Sequence, residues 1–379
     1  MKELWIWLCQ RVGVSSREKK VLLSRFGSIE ALYRCDGDDL AGMGLKEKAL
    51  VSLLNKDLTA ARAIAAQCQR LGVGILTYEE ENYPQKLRAI GDSPLVLYWL
   101  GKLPDWKQFP AVGVVGTRKA SAHATQTARY MSGDLCKGGA AIVSGMAAGI
   151  DAWATAGALE AGGIAIGVLG CGIDIEYPAS NHNLYTKMRQ LGCLISEYPP
   201  GMRAQQWTFP ERNRIISGLS DATLVVEAPE RSGALITARD AKAQGKLLFA
   251  VPGPEGYLCC AGSNALLQQG ALKAEKAQDI LQKLPGLSKK RLDKSQPISY
   301  SGADKAGARG AIDAPSPGPD DALSPQAKCI LDALEAGPMT PDELIVKSEL
   351  ASHRALMEIT RLEMQGLVYR PDPLRIARK

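Results

Sequence analysis

Arginines beside glycine-rich turns are the residues of this sequence best suited to chemistry. Arg118 ends the run Gly116-Thr117-Arg118, directly after an apolar stretch. Arg212 and Arg214 flank Asn213 in Phe209-Pro-Glu-Arg-Asn-Arg214, and Arg231 precedes Ser232-Gly233-Ala234. A guanidinium is a planar fork of donors that meets a phosphate with two hydrogen bonds. Phe209, next to two arginines, offers a ring on which a base can stack, a contact of roughly 1–3 kcal/mol; the competing role is a core phenylalanine. Asn213 can bond a base edge or cap its helix. Similar turns recur at Ser144-Gly145 with Gly149-Ile-Asp151, at Gly170-Cys-Gly-Ile-Asp174, at Pro252-Gly-Pro254 and at Gly262-Ser-Asn264. Glycine lets backbone approach a ligand, and the first N–H groups of a helix are unpaired, so each turn is a candidate anion site. Tight corners need glycine in any case; their number at one sheet edge is what points to a ligand.

Such an edge requires strands that end together. Short apolar runs at Leu95–Trp99, Ala111–Val115, Ala140–Val143, Ile164–Leu169, Leu194–Ser196, Thr223–Val226 and Leu247–Val251 read as strands. Between them, helices are predicted over His123–Cys136, Ile150–Glu160, Asn181–Gln190, Arg212–Leu219, Ala234–Ala243 and Asn264–Gln269. The alternation predicts an α/β fold, a doubly wound parallel sheet covered on both faces, with ligands at the C-terminal strand ends. Residues 1–72 read as all-helical, with Gly27-Ser28 as a stop and a new cap. The run Leu40-Ala-Gly-Met-Gly-Leu45 before another helix resembles a helix-hairpin-helix turn, and a plain helical connection fits it as well. The α/β domain is predicted over 73–284. Residues 285–322 are rich in Ser, Gly, Pro, Ala and Lys and are predicted to be a disordered linker. In 323–379, helices opened by Pro325, Pro341 and Ser352 and then a hairpin predict a winged helix.

A chain of 379 residues suits two or three domains. With 46% apolar and 23% charged residues it is of ordinary globular composition, and no apolar run reaches membrane-spanning length. Leu4–Cys9 reads as the start of a helix, not a signal peptide. The nine cysteines lack paired spacing and the three histidines are far apart in sequence, which argues against metal and against a His-centred catalytic site. Reduced thiols and a cytoplasmic setting are expected. A P-loop, a dinucleotide fingerprint and a nucleophile elbow are all missing, and no cofactor is expected. The net charge of +6 is a mild bias toward polyanions; part of it sits in the linker, where Lys283–Arg309 carries seven basic residues against two aspartates.

The ordered stretches Tyr83-Pro84, Val115-Gly-Thr-Arg118, Ser144-Gly-Met-Ala-Ala-Gly-Ile-Asp151, Val168-Leu-Gly-Cys-Gly-Ile-Asp174, Tyr177-Pro178, Ser196-Glu-Tyr-Pro-Pro-Gly201, Phe209-Pro-Glu-Arg-Asn-Arg214 and Arg231-Ser-Gly-Ala-Leu-Ile-Thr237 strongly resemble the DNA-processing protein A (DprA/Smf) family. The resemblance is dense from Val73 to Leu281. It implies an extended Rossmann fold that binds single-stranded DNA without catalysis, a homodimer through this domain, and loading of the RecA recombinase onto DNA taken up in natural transformation. It places DNA contacts at Thr117 and Arg118, at Phe209, Arg212 and Asn213, and at Arg231–Ala234; Gly116, Ser144, Gly145 and Arg214 join them from the turn chemistry. It also implies that the N-terminal helices are SAM-like. Neutral residues at Ala148, Ala179 and Gln206 stand where many relatives are basic, which implies weaker DNA binding.

The C-terminal unit carries eight basic and eight acidic residues over 324–379. That balance favours an auxiliary or protein-contact role over DNA reading, with Arg375, Arg378 and Lys379 as its weak basic tail. Two other functions compete with strand binding. One is a nucleotide-processing Rossmann enzyme of the lysine-decarboxylase-like phosphoribohydrolase group, with Glu197, Glu211 and Asp174 as available carboxylates. The other is a scaffold whose end domains recruit partners.

Overall fold

The computed structural model describes residues 1–286 and 325–378, apart from 349, 351–354, 356–357, 360–361, 363–366 and 373–374. They fall into two units, one within Met1–Ala303 and one within Asp304–Lys379.

The first unit begins with six helices: α1 (Lys2–Cys9), α2 (Ser16–Phe26), α3 (Ile29–Arg34), α4 (Gly37–Leu40), α5 (Glu47–Leu54) and α6 (Thr59–Leu71). Local chemistry sets their ends. Ser15 and Glu18 form a capping box at the start of α2, and Gly27 ends it in the left-handed region at φ 76°. Ser28 then caps α3. Trp5, Trp7, Leu8, Leu22, Leu32 and Leu53 are buried in a core shared with the sheet that follows. Lys2 Nζ donates to Ile75 O at 2.6 Å, and Lys20 Nζ donates to Ser93 Oγ at 2.8 Å. The helical segment is thus joined to the α/β part.

That part runs β1 (Gly74–Thr77), α7 (Gln85–Arg88), β2 (Val96–Gly101), β3 (Ala111–Val115), α8 (Ala122–Lys137), β4 (Ala141–Ser144), α9 (Ile150–Glu160), β5 (Ala165–Leu169), α10 (His182–Leu191), β6 (Cys193–Ser196), α11 (Thr208–Leu219), β7 (Ala222–Val225), α12 (Ala234–Ala243), β8 (Leu247–Ala250), α13 (Ala261–Gln268), β9 (Leu272–Lys273) and α14 (Ala277–Leu281). The nine strands form one sheet in the order β1-β2-β6-β5-β4-β3-β7-β8-β9. From β6 to β9 every pairing is parallel. Each face of the sheet is a separate core. Val112 and Val114 of β3 pack with α8 and α9 residues such as Ala128 and Ala154. Their neighbours Ala111 and Val115 pack on the other face with Ile215, Ile216 and Ala238 of α11 and α12. Alternation along a strand therefore fills both cores, which is why the strands read as unbroken apolar runs.

The sheet departs from the all-parallel expectation at one edge. β2 is antiparallel to β6, and β1 is antiparallel to β2. Reversed, β2 ends at the sheet edge where β3 begins, so the short connection 102–110 joins them without a covering helix. The chain order turns back between β3 and β7, which are hydrogen-bonded neighbours. The loops leaving those two strands diverge there and open the crevice where α/β sheets bind ligands.

The second unit has α15 (Pro325–Ala333), α16 (Pro341–Ser348) and an antiparallel pair, β10 (Val368–Asp372) and β11 (Arg375–Arg378). Both helices open at the expected prolines. Ile330, Leu344, Ile359, Leu362 and Ile376 share its core. The predicted third helix from Ser352 lies largely outside the described residues, as does the predicted linker from 287 onward.

Candidate nucleic-acid interface

Three loops converge at the crevice. The loop after β3 carries Gly116, Thr117 and Arg118. The loop after β4 carries Gly145 to Gly149. The loop after β7 carries Glu227 to Gly233. Main-chain bonds lock them together: Thr117 N donates to Glu227 O at 2.7 Å, and Ile150 N donates to Thr117 O at 3.2 Å. The carboxylate of Glu227, which is buried, accepts from Ser121 N at 3.0 Å and from Ser121 Oγ at 2.6 Å. Ser121 is the cap of α8, so Glu227 fixes the turn that presents Arg118. Gly149 makes the approach possible. Its φ is 76°, and a Cβ there would lie 2.3 Å from Thr117 O.

The aromatic and cationic groups meet above these loops. The Arg118 guanidinium lies 5.1 Å from the centroid of Phe209, within cation–π range. The ring of Tyr177 is tilted 40° against Phe209, with centroids 5.2 Å apart. Tyr177 is 42% exposed, whereas Phe209 is half-buried over Gly170, where any side chain would collide with its ring. The open stacking surface is thus Tyr177 with the Arg118 plane, and Phe209 supports both. Asn181 ties the Tyr177 segment to the second loop by donating to Met146 O at 2.9 Å and Ala147 O at 3.2 Å. In the sequence Tyr177 is only part of a Tyr-Pro pair, with no predicted contact role; its exposure and its neighbour are visible only in three dimensions.

The predicted contact residues divide into two groups. Arg118 and Arg231 are exposed and make no ion pair among the described residues. Thr117 and Ser232 are half-buried and Gly233 is exposed beside them. Asn213 Nδ2 donates to Gly233 O at 3.4 Å, which links α11 to the Arg231 turn, and Ala234 begins α12. Gly116 packs against Ile150 and Glu227 O with no room for a Cβ.

Four predicted contacts are instead turned inward. Ser144 is buried and its hydroxyl donates to Val114 O at 2.7 Å. Gly145 is also buried, and its N–H donates to Asp151 Oδ2 at 3.1 Å. Arg214 donates to Glu197 Oε2 at 2.6 Å and reaches Asp92, leaving its side chain 13% exposed. Arg212 is 3% exposed, and its Nη1 donates to Gly145 O and Val168 O. A buried guanidinium whose Nη1 bridges two strand-end carbonyls is a brace for the strand ends and not an exposed phosphate fork. Burial pulls the Arg212 pKa down and pushes that of Asp151 up, and the attraction between the two opposes both shifts. Sequence spacing placed four arginines at this edge, but helix phase and burial sort them into two that face outward and two that hold the fold.

The neutral positions are also placed. Ala179 and Gln206 are exposed and Ala148 is half-buried, so each reaches solvent without bringing a charge. The carboxylates available for catalysis are occupied. Asp174 accepts from Gly201 N at 2.8 Å, Glu197 pairs with Arg214, and Glu211 accepts from the Tyr198 hydroxyl at 3.3 Å.

Fold and site together define a Rossmann-type anion-binding protein whose strand-end crevice carries exposed arginines and an aromatic stack, with a winged-helix unit in the same chain. Residues 74–285 match the family described as DNA recombination-mediator protein A, and residues 314–371 match the DprA winged helix domain. The chain belongs to the DNA recombination-mediator protein A family. It is 37% identical over 319 residues to protein Smf of Synechocystis, covering 80% of each chain. It is likewise 37% identical to DNA processing protein DprA of Bacillus subtilis, over 64% of this chain and 81% of that one. Among solved structures it resembles DNA processing protein A of Streptococcus pneumoniae, with TM-score 0.67 and 30% identity over 75% of this chain and 98% of the other. It also resembles the single-stranded DNA-binding DNA processing protein A of Helicobacter pylori, with TM-score 0.51 and 30% identity over 55% and 94%.

Proposed function

We propose that this chain binds single-stranded DNA along the C-terminal strand edge and, as a recombination mediator, passes the strand to the RecA recombinase. The observation that carries the reading is the stack of Arg118, Phe209 and Tyr177 beside the exposed Arg231 turn. Guanidinium groups hold a phosphate backbone, and an exposed aromatic ring accepts bases of any identity. A stacked duplex offers no free base faces to such a ring, so a single strand is preferred. Thr117, Ser232, Gly233, Ala234 and Asn213 shape the groove. Arg212, Arg214, Ser144 and Gly145 act from beneath by holding the loops.

The chain acts without catalysis in this reading, because the nearby carboxylates serve structural contacts. It works in the cytoplasm as a homodimer through the α/β domain. We read the domains as 1–72, 73–284 and 323–379, with the winged helix as an auxiliary or protein-contact module. No helix among the described residues is long and apolar enough to cross a membrane, which is compatible with this setting.

The test is fluorescence anisotropy with labelled poly-dT against matched duplex, using wild type and Arg118→Ala. Preference for the single strand that collapses in the variant supports the reading. Equal binding of both DNAs, or binding indifferent to Arg118, overturns it.

A further inference from the structure

The exit of β7 holds a second group of side chains, none of them in the set read as touching DNA, although one, Glu227, also orders the Ser121 cap. The Glu227 carboxylate and the thiols of Cys259 and Cys260 place one ligand atom each within 4.8 Å of one another. We propose that these three residues bind one borderline divalent cation of the zinc class, with a fourth position left for water.

Four features make this a built site. The two sulfurs are 3.7 Å apart. A disulfide requires roughly 2.05 Å, whereas two thiolates on one tetrahedral zinc, each bonded at about 2.3 Å, stand roughly 3.8 Å apart. Glu227 is buried at 3% exposure and makes no salt bridge among the described residues, so its charge lacks a cation. Both its oxygens are already oriented by Ser121 N and Ser121 Oγ, the kind of outer hydrogen bonding that steers a ligating carboxylate. The cysteines are held in place as well. Gly262 N and Ser263 N donate to Ala228 O at 2.8 and 3.1 Å, which pins the start of α13 beside Glu227. At Gly253 a Cβ would lie 2.3 Å from the Cys260 sulfur, so only glycine lets that thiol sit there.

Sequence spacing argued against metal because adjacent cysteines are not a common zinc pair. The third ligand comes from 32 residues upstream, and the fold alone delivers it. Binding converts both thiols to thiolates, so two protons leave as one dication enters, and the three ligands together carry three negative charges.

The experiment is titration of the full, reduced protein with Co2+, whose absorption reports ligand type and geometry. The expected result is one equivalent bound, a near-ultraviolet thiolate-to-cobalt band and the intense visible bands of four-coordination. The double variant Cys259→Ser/Cys260→Ser keeps the other seven cysteines. It should lose the thiolate band and about a hundredfold in Co2+ affinity. Glu227→Gln should keep the band but bind about tenfold more weakly, with unchanged far-ultraviolet circular dichroism. A wild-type spectrum without a thiolate band overturns the proposal. So does a double variant that binds Co2+ like the wild type, since other cysteines would then be responsible.

Discussion

Replacing Arg212 by methionine should cost far more stability than any other arginine change at this edge. Methionine fills similar volume, so the effect comes from charge and hydrogen bonds and not from a cavity. Two carbonyls, Gly145 O and Val168 O, lose their donor. The Asp151 carboxylate, also buried, loses the charge that favours its ionised form most. Removing one member of a buried charge pair costs about 3–5 kcal/mol, a large share of the roughly 5–15 kcal/mol that holds a protein folded. With a urea slope of about 2–3 kcal/mol per molar, the midpoint should fall by roughly 1–2 M. All six tryptophans lie between Trp5 and Trp207, so tryptophan fluorescence reports the first unit alone. The loss should depend on pH in a defined direction. Burial already raises the Asp151 pKa above its ordinary 3.8, and the Arg212 charge holds it down. The variant should therefore raise it further. A carboxyl with a raised folded pKa stabilises the folded state when protonated and loses that contribution as pH rises through the folded value. The gap between variant and wild type should thus be widest at neutral pH and narrow as pH falls toward the ordinary carboxylate range. A double variant with Asp151→Asn should recover about 1–3 kcal/mol relative to additivity. A midpoint shift worth less than about 1 kcal/mol, or one independent of pH, would refute the cross-brace.

Other changes separate the ligand face from the supporting frame. Arg118→Ala should leave stability within about 0.5 kcal/mol yet weaken poly-dT binding about tenfold and lower the logarithmic salt slope by about 0.7, read by anisotropy across a salt series. Tyr177→Ala should weaken poly-dT binding by about 1–3 kcal/mol without reducing the salt slope; a loss of slope would mean that it acts through phosphate contacts. Gly149→Ala should destabilise by about 1–3 kcal/mol, because a side chain at this backbone angle is strained and its Cβ meets Thr117 O; thermal melting checks it. Arg214→Met should lower thermal stability by leaving Glu197 half-buried and unpaired, while the salt slope of DNA binding stays at the wild-type value.

Much of the architecture is written in the local sequence. The apolar run Ala111–Val115 is a strand at those limits, Ile150–Glu160 and Ala234–Ala243 are helices at those limits, and Gly27-Ser28 ends one helix and caps the next. These follow from nearest-neighbour chemistry: β-branched runs, capping hydroxyls and glycines able to adopt positive φ. Short elements are not legible in this way. Gly74–Thr77 and Leu272–Lys273 span too few residues to show a period, and they become strands only because a sheet edge offers partners. Strand direction is equally silent, since an apolar run reads alike whether it pairs parallel or antiparallel, and β2 took the antiparallel course.

The site divides along the same line. Residue type and spacing alone determined that arginines and glycines gather at the C-terminal strand ends, because the α/β alternation fixes where those ends lie. Which arginine faces solvent was decided only by the packed structure. Arg212 and Arg214 lie two residues apart on one helix, so their side chains leave it about 200° apart. One is drawn under the strand ends by two carbonyls and Asp151, the other to the opposite side, where Glu197 and Asp92 hold it largely buried. The stack of Arg118 on Phe209 beside Tyr177, and the meeting of Glu227 with Cys259 and Cys260, join residues from separate loops. Their proximity is a property of the folded sheet edge, where several chain segments end within a few ångströms of one another.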